Sequence, residues 1–140
     1  RYFGMGPMET YIDKHHAGHH GIFKGTAASM QEDYIRPQES GSHYDCDFVT
    51  VKGKGLCLTA ASADTDPDST FSFNASVYTQ EELEEKRHNY ELEPCGSTVL
   101  CIDHRMAGIG SHSCGPELLP EYRVAGDTFR FSFMLKPEEM

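Results

Sequence analysis

A run of histidines near the start of the chain is the segment most able to bind a metal ion. Residues 15–20 read His-His-Ala-Gly-His-His. In a helix, residues four apart in this run would share one face, and each such pair could hold a metal ion. Gly18 disfavours the helix. We therefore expect exposed histidines in a turn, and we predict no metal site.

A second polar segment, Tyr34–Gly41, places Arg36 and Glu39 around a proline and a glutamine. Such planar charged and amide groups can form bidentate hydrogen bonds with the hydroxyls of a sugar. The alternative is that Arg36 and Glu39 pair with each other or with the backbone and fix the loop.

A third segment, Gly108–Pro116, is rich in glycine and serine and is predicted to form a loop at the end of a sheet. Its side chains resemble those of a nucleophilic site: Ser111, His112, Ser113 and Cys114. Catalytic dyads are assembled by tertiary folding, however, and these residues are neighbours in sequence. The strand–turn–helix context of a nucleophile elbow is also missing. We predict no catalytic residue here, and the loop either lines a ligand or is structural.

Acidic side chains are abundant, with 22 Asp and Glu against 12 Lys and Arg. Many of the acids lie in surface runs such as Glu81–Glu85, and no spacing singles out a pair that faces across a cleft. Taken alone, the residues indicate a β-rich binding or structural module.

Strand signals dominate the elements that must position these segments. Apolar and polar residues alternate, and glycine-bearing turns separate the runs. A turn at residues 52–55 joins the first two predicted strands, the last two form a hairpin, and the fourth is expected to be buried on both faces. In chain order, the predicted strands are Phe48–Val51, Leu56–Thr59, Phe71–Phe73, Thr98–Ile102, Glu121–Ala125 and Thr128–Leu135.

One short surface helix is predicted from Thr79-Gln80-Glu81-Glu82, a capping box in which the threonine hydroxyl accepts from the first turn and the Glu82 side chain reaches back. Lys86–His88 would lie near its negative end. Residues 60–69 are predicted to form an exposed loop. Together these elements predict an all-β fold, an antiparallel β-sandwich with one short helix.

Composition excludes several classes of protein. A length of 140 residues predicts one domain, and a net charge of −10 gives no basic surface for nucleic acid. No apolar run approaches the roughly 20 residues that span a membrane. The five cysteines include no C-x-x-C pair, so a reducing, cytoplasmic location is expected. The chain lacks an initiator Met and a visible leader, and we expect it to be a piece of something longer.

Several motifs, taken in order, resemble the C-terminal domain of bacterial β-galactosidases of glycoside hydrolase family 2. The resemblance runs from Tyr2 to about Leu135. It rests on Gly4-Met5-Gly6-Pro7 with Glu9, Tyr11 and Asp13, on Tyr34–Gly41, Phe71–Ser76, Glu81–Leu83, Ile102–Asp103, Met106–Pro116 and Pro120–Arg123.

The resemblance implies that residues 1–140 are a single partial domain, about the second half of a galactose-mutarotase-like supersandwich. It implies that the two catalytic glutamates lie in an upstream barrel, so this piece alone should be inactive. Magnesium and sodium would be held mostly by other domains. The partners would be the rest of the β-galactosidase chain and a galactoside such as lactose.

In this family a loop of the domain reaches over the active site and helps to bind the aglycone sugar. Here it corresponds to Gly110–Pro116, and Cys114 stands where an aromatic residue is usual. A thiol has no face for stacking on a sugar ring, which leaves hydrogen bonds from Ser111, His112 and Ser113.

The alternative is a free-standing carbohydrate-binding or aldose-epimerase-like domain, with His88 or His104 and Glu39 as an acid–base pair. As half a supersandwich, the chain would have open strand edges, so the isolated fragment is expected to self-associate.

Overall fold

The chain folds into two antiparallel β-sheets in a computed structural model that describes residues 1–63, 69–108 and 114–140. The strands are β1 Tyr2–Gly6, β2 His19–Phe23, β3 His43–Cys46, β4 Phe48–Gly53, β5 Leu56–Ser62, β6 Phe71–Ser76, β7 Val99–Asp103 and β8 Phe133–Glu139. One α-helix, α1 Gln80–Glu85, accompanies 3₁₀ turns at Ala28–Met30, Asn89–Glu91 and Pro120–Tyr122 within these ranges. The predicted all-β class is confirmed.

The larger sheet has the strand order β2-β1-β4-β5-β8, and the smaller has the order β3-β6-β7. Over the described ranges neither sheet closes into a barrel, so β2, β8, β3 and β7 are edge strands. Buried residues of both sheets meet in one core, as in a β-sandwich. They are Tyr2, Cys46, Val49, Ala60, Phe71, Phe73 and Ala75.

The β4–β5 hairpin confirms the predicted turn. Gly53 pairs with Leu56, which leaves Lys54 and Gly55 as a two-residue loop. Both have positive φ, 44° for Lys54 and 86° for Gly55, as a tight hairpin turn requires. The hairpin places Val49 and Ala60 in the core.

Strand β6 and helix α1 also lie where the sequence predicts them. Every residue of β6 is buried. The Thr79 hydroxyl accepts a hydrogen bond from the Glu82 amide at 3.2 Å, and Leu83 anchors the helix to the sheet. The predicted reach-back of Glu82 is wrong, because its carboxylate accepts instead from the Glu93 amide at 2.8 Å. The helix ends at Glu85, before the basic residues.

The C-terminal strand is displaced from its predicted position. The prediction Thr128–Leu135 is wrong at its start, since β8 begins at Phe133, and the predicted half-burial is wrong because β8 is exposed throughout. It pairs with β5 along its whole length, from Ser62 opposite Phe133 to Leu56 opposite Glu139. Pro137 is tolerated because an edge strand can lack one donor. Of the aromatic residues that alternate in this segment, Phe131 precedes the strand and packs against the core.

The predicted partner of that strand, Glu121–Ala125, is also wrong. Pro120–Tyr122 is a 3₁₀ turn, with the proline in its first turn. The Arg123 guanidinium holds this turn by donating to the Leu118 carbonyl at 2.7 Å and to the Glu117 carboxylate at 2.7 Å. These local bonds compete with strand pairing.

Two further predictions need correction. Strand β7 is half-buried rather than buried on both faces, because it lies at an edge and pairs only with β6 in the described sheet. The predicted loop over 60–69 is wrong at its start, since Ala60–Ser62 belong to β5 and Ala60 is fully buried. Residues 64–68 lie outside the described residues.

No helix in the described ranges combines the length and the apolar character needed to cross a membrane.

Candidate functional site

A buried carboxylate organises the polar end of the sandwich. Glu9 is 4% exposed and follows β1. It accepts hydrogen bonds from the Lys14 ammonium at 2.6 Å, the Tyr11 phenol at 3.0 Å, the Gly41 amide at 2.9 Å and the Tyr34 phenol. These donors come from residues 11–41 and converge on one side chain.

The electrostatics of Glu9 follow from these contacts. Burial by itself raises the pKa of the carboxyl, but the bonds from Lys14, Tyr34, Gly41 and Tyr11 outweigh it and leave the pKa lowered. A carboxylate that is ionised and accepts hydrogen bonds from four donors does not act as a proton donor. Glu9 is therefore a structural anion.

The Tyr34–Gly41 segment is fixed through its ends. The Tyr34 carbonyl accepts from the Asn89 side chain at 2.8 Å, and the Ser40 hydroxyl accepts from the Glu32 amide at 3.1 Å. Arg36 is exposed and has no ion pair or hydrogen bond to Glu39 over the described part of the chain. The Arg36–Glu39 pair left open by the sequence is not formed, so the guanidinium is available at the surface.

Glu39 lies in a narrow cleft, and its charge acts on a second acidic residue, Asp103. Cys101 and Asn74 also line this cleft, whose volume is about 10 Å³, room for one water at most. Burial, and then the charge of Glu39, raises the pKa of Asp103. Among the described residues, no hydrogen bond or ion pair links Glu39 to His88 or His104; these rings stack on Tyr90 at 5.1 Å and pack on Phe131 at 5.8 Å. The acid–base pair of the alternative hypothesis is not assembled.

A tight turn, Tyr11–Lys14, carries Asp13 towards the predicted ligand loop. Two backbone hydrogen bonds of 3.0 Å close the turn between Tyr11 and Lys14. The Asp13 carboxylate accepts from the Gly108 amide, and the Ile12 amide donates to the Met106 carbonyl at 3.3 Å. The turn is thus joined to the residues that lead into the loop.

The loop itself is described in part. Ser111, His112 and Ser113 lie outside the described residues, and Cys114 is exposed. Upstream, Arg105 donates to the Thr70 carbonyl at 2.7 Å and lies over the Tyr44 ring at 5.7 Å. The residues before the loop are therefore fixed by Asp13 and Arg105.

The histidine run is divided among several contacts instead of forming a helix face. Residues 15–18 form a turn, as expected, and His19 and His20 begin β2. The His15 ring packs on Tyr44 at 5.0 Å, and His20 Nε2 lies 3.6 Å from an Asp47 carboxylate oxygen. In the described part of the chain, no three His, Cys, Asp or Glu side chains are placed to hold an ion.

Sequence reasoning did not find the Glu9 network or the Asp13 contact. Both residues belong to the first resembling motif, which was the available signal. Their partners lie 2–95 residues away, and no local pattern encodes that distance.

The chain is similar to known beta-galactosidases along nearly all of its length. A family model described as beta galactosidase small chain matches residues 1–135. The chain is 48% identical over 134 residues to a beta-galactosidase of Actinobacillus pleuropneumoniae, covering 96% of this chain and 12% of that protein. It is 41% identical over 138 residues to one of Staphylococcus xylosus, covering 97% of this chain and 13% of that protein. It is 30% identical over 135 residues to one of Kluyveromyces lactis, covering 96% of this chain and 12% of that protein.

The chain thus spans 12–13% of the length of these relatives and matches them along nearly all of its own. The family model covers both anchored segments, the turn with Glu9 and Asp13 and the loop that ends beyond Cys114. This chain belongs to the beta-galactosidase small-chain family.

Proposed function

We propose that this chain is a structural piece of a family 2 β-galactosidase and borders the aglycone side of its active site. The parent protein would hydrolyse terminal β-D-galactosides such as lactose. The catalytic carboxylates would lie in other parts of that protein, and the isolated chain would be inactive. The short span of the chain relative to its relatives supports this division.

The observation that carries the proposal is the state of three acids that the fold buries in whole or in part: Glu9, Glu39 and Asp103. A retaining glycosidase needs two carboxyl groups about 5 Å apart, facing a sugar. Glu9 is occupied by donors on every side. Glu39, which acts on the pKa of Asp103, lines a cleft of about 10 Å³, far too small for a hexose.

The loop around Cys114 is the part proposed to face the aglycone. Cys114 is exposed, and a Cβ atom added to its neighbour Gly115 would meet none of the described residues within 4 Å. Ser111, His112 and Ser113 would donate and accept hydrogen bonds to hydroxyls of the leaving sugar. Arg36, exposed and unpaired within the described residues, is a further candidate for a polar contact.

An open cleft between the two sheets supports the proposal that this chain packs against the rest of the parent protein. Its volume is about 870 Å³, and Val51, Lys52 and Thr98 are among its lining residues. The cleft is also lined by Phe73, whose aromatic ring is fully buried and offers no face for stacking on a sugar. We propose that upstream β-structure packs here, and that without it the isolated chain self-associates through its edges.

Cofactors and location are part of the same proposal. The donor set of the described residues does not fit a metal site, and magnesium and sodium would be bound by other domains of the parent. The parent would be cytoplasmic.

A graft tests the proposal. In the beta-galactosidase of Actinobacillus pleuropneumoniae, the matching 134-residue segment is replaced by this chain. Replacing both Ser111 and His112 by Ala should then raise KM for lactose and leave the inhibition constant of free galactose unchanged. Equal changes in both constants would contradict the proposed aglycone role.

The free-standing alternative is tested on the isolated chain. Calorimetry with galactose and with lactose should show no binding at millimolar concentration. Saturable binding of either sugar would favour the alternative and contradict the structural role.

A further inference from the structure

Two stretches of chain that flank the aglycone-facing loop contact the same turn. Gly108, on the upstream side, donates its amide hydrogen to the Asp13 carboxylate. Tyr122, on the downstream side, packs its ring edge-on against His16 at 5.9 Å and lies 6.4 Å from the His15 ring. Residues 11–16 therefore meet both flanks.

The turn is rigid enough to act as a support. The Glu9 carboxylate accepts hydrogen bonds from both ends of the turn, from the Tyr11 phenol at 3.0 Å and from the Lys14 ammonium at 2.6 Å. The preceding Thr10 amide donates to the Ser42 carbonyl at 2.7 Å. The position of the Asp13 carboxylate is thus set by contacts on several elements rather than by its own loop.

The approach at Gly108 is close. A Cβ atom added there would lie 2.8 Å from Asp13 Cγ and overlap the carboxylate. The glycine therefore lets the backbone reach the acid. A charge-assisted bond from a backbone amide is short and directional, so it fixes where the following residues begin.

We infer that Asp13 is a positioning residue that sets the preference of the enzyme for its aglycone by fixing the upstream end of the loop at Gly108. The inference rests on the proposed function, because it assigns a support to the loop that the proposal places at the aglycone. Binding groups must be held within about 0.5 Å of their productive geometry, so a residue that fixes the backbone leading into the loop bears directly on aglycone binding.

The test uses the full-length graft described above. Asp13→Ala should raise KM for lactose by about tenfold, because it removes the acceptor of the Gly108 amide together with the other contacts of this carboxylate. The inhibition constant of free galactose, which has no aglycone, should stay within about twofold. Asp13→Asn keeps a carbonyl oxygen that can accept from Gly108, so it should recover part of the loss. Asp33→Asn, on an exposed acid, is the matched control and should change neither constant.

A purely structural role would give a different pattern. Asp13→Ala would then weaken lactose and galactose binding together, or would lower kcat and thermal stability with an unchanged ratio of the two constants. Either result overturns the inference. Failure of the Asn variant to recover any lactose affinity would also contradict the hydrogen bond as the cause.

The loop variant separates this inference from the proposed function. The quantity to compare is the ratio of KM for lactose to the inhibition constant of galactose. If the Ser111 and His112 double substitution changes this ratio and Asp13→Ala does not, the inference alone fails. If the loop substitution leaves the ratio unchanged, both the proposed function and the inference fail, whatever Asp13→Ala does.

Discussion

The phenol of Tyr34 donates a hydrogen bond to the carboxylate of Glu9, which lies 25 residues earlier in the chain. The bond joins the end of β1 to the segment that precedes β3. Because Glu9 also binds Lys14 and Gly41, one buried anion connects three separate stretches of backbone. The polar end of the sandwich therefore depends on a single charge.

Replacing that charge should destabilise the fold. Glu9→Gln removes one acceptor oxygen and places an amide donor against Lys14 or Tyr34, so the free energy of unfolding should fall by about 3 kcal/mol at pH 7. Chemical denaturation of the chain measures it. Glu85→Gln, on the exposed side of α1, is the control and should change stability little.

The effect of Glu9 should depend on pH in a defined direction. The folded pKa of Glu9 is lowered from 4.5, so its contribution is present above that value and is lost as pH falls through the folded pKa. The gap between the wild type and Glu9→Gln should narrow below about pH 4. A gap that stays constant down to pH 3 would contradict the ionised state of Glu9.

A second pH dependence should come from His43. This ring is 2% exposed and stacks on Tyr2 at 4.2 Å. Burial lowers its pKa from 6.5 to about 4. The unfolded chain therefore binds more protons between these values, and stability should fall as pH drops from about 6.5 to 4.

The variant His43→Gln should flatten the dependence in this window, measured as unfolding free energy against pH. His88→Gln, on a ring that is exposed in the folded state, should keep the wild-type slope. If His43→Gln keeps the wild-type slope of stability against pH, the slope comes from groups other than His43.

Asp103 should make the stability of the fold depend on pH in the direction opposite to that of Glu9 and His43. Burial, and then the Glu39 charge, raises its pKa above 3.8, so stability falls as pH rises through the raised pKa. Asp103→Asn should accordingly raise Tm at pH 7 and lose this advantage at pH 3.5. Asp33→Asn, on an exposed acid, should leave Tm unchanged. A lower Tm for Asp103→Asn at pH 7 would contradict the cost of burying the Asp103 carboxylate beside the Glu39 charge.

The fold was predictable where local chemistry decides it. Lys54 and Gly55 define the β4–β5 turn, and the Thr79 hydroxyl caps the N-terminus of α1. The pairing of β8 with β5 joins residues more than 70 positions apart, and a period of two in the sequence cannot say which strand is the partner. Strand β8 therefore began five residues later than predicted.

The site was predictable in part for a similar reason. Arg36 and Cys114 were predicted from their own segments, and both are exposed, while their contact with a sugar stays a prediction. Strands β1 to β3 were missed because their glycines and histidines weaken the apolar alternation. Glu9 and Asp13 act through partners brought by the fold, so their roles appear only in three dimensions.

An aromatic residue at position 114 should strengthen aglycone binding in the grafted enzyme. Cys114 is exposed and has no ring to stack on a sugar. Cys114→Trp should lower KM for lactose by about fivefold, in line with about 1 kcal/mol for an aromatic contact. Cys95→Trp, at another exposed cysteine, is the control and should leave KM unchanged. An unchanged KM in Cys114→Trp would place this residue away from the aglycone.

The direct test of the central claim is galactoside hydrolysis by three samples under one set of conditions: the isolated chain, the Actinobacillus pleuropneumoniae relative without its matching segment, and that relative with this chain grafted in place of the segment. We expect no turnover from the first two and clear turnover of a chromogenic galactoside from the graft. Turnover by the isolated chain, or full activity of the relative without the segment, would contradict a role that completes the enzyme without supplying its catalytic acids.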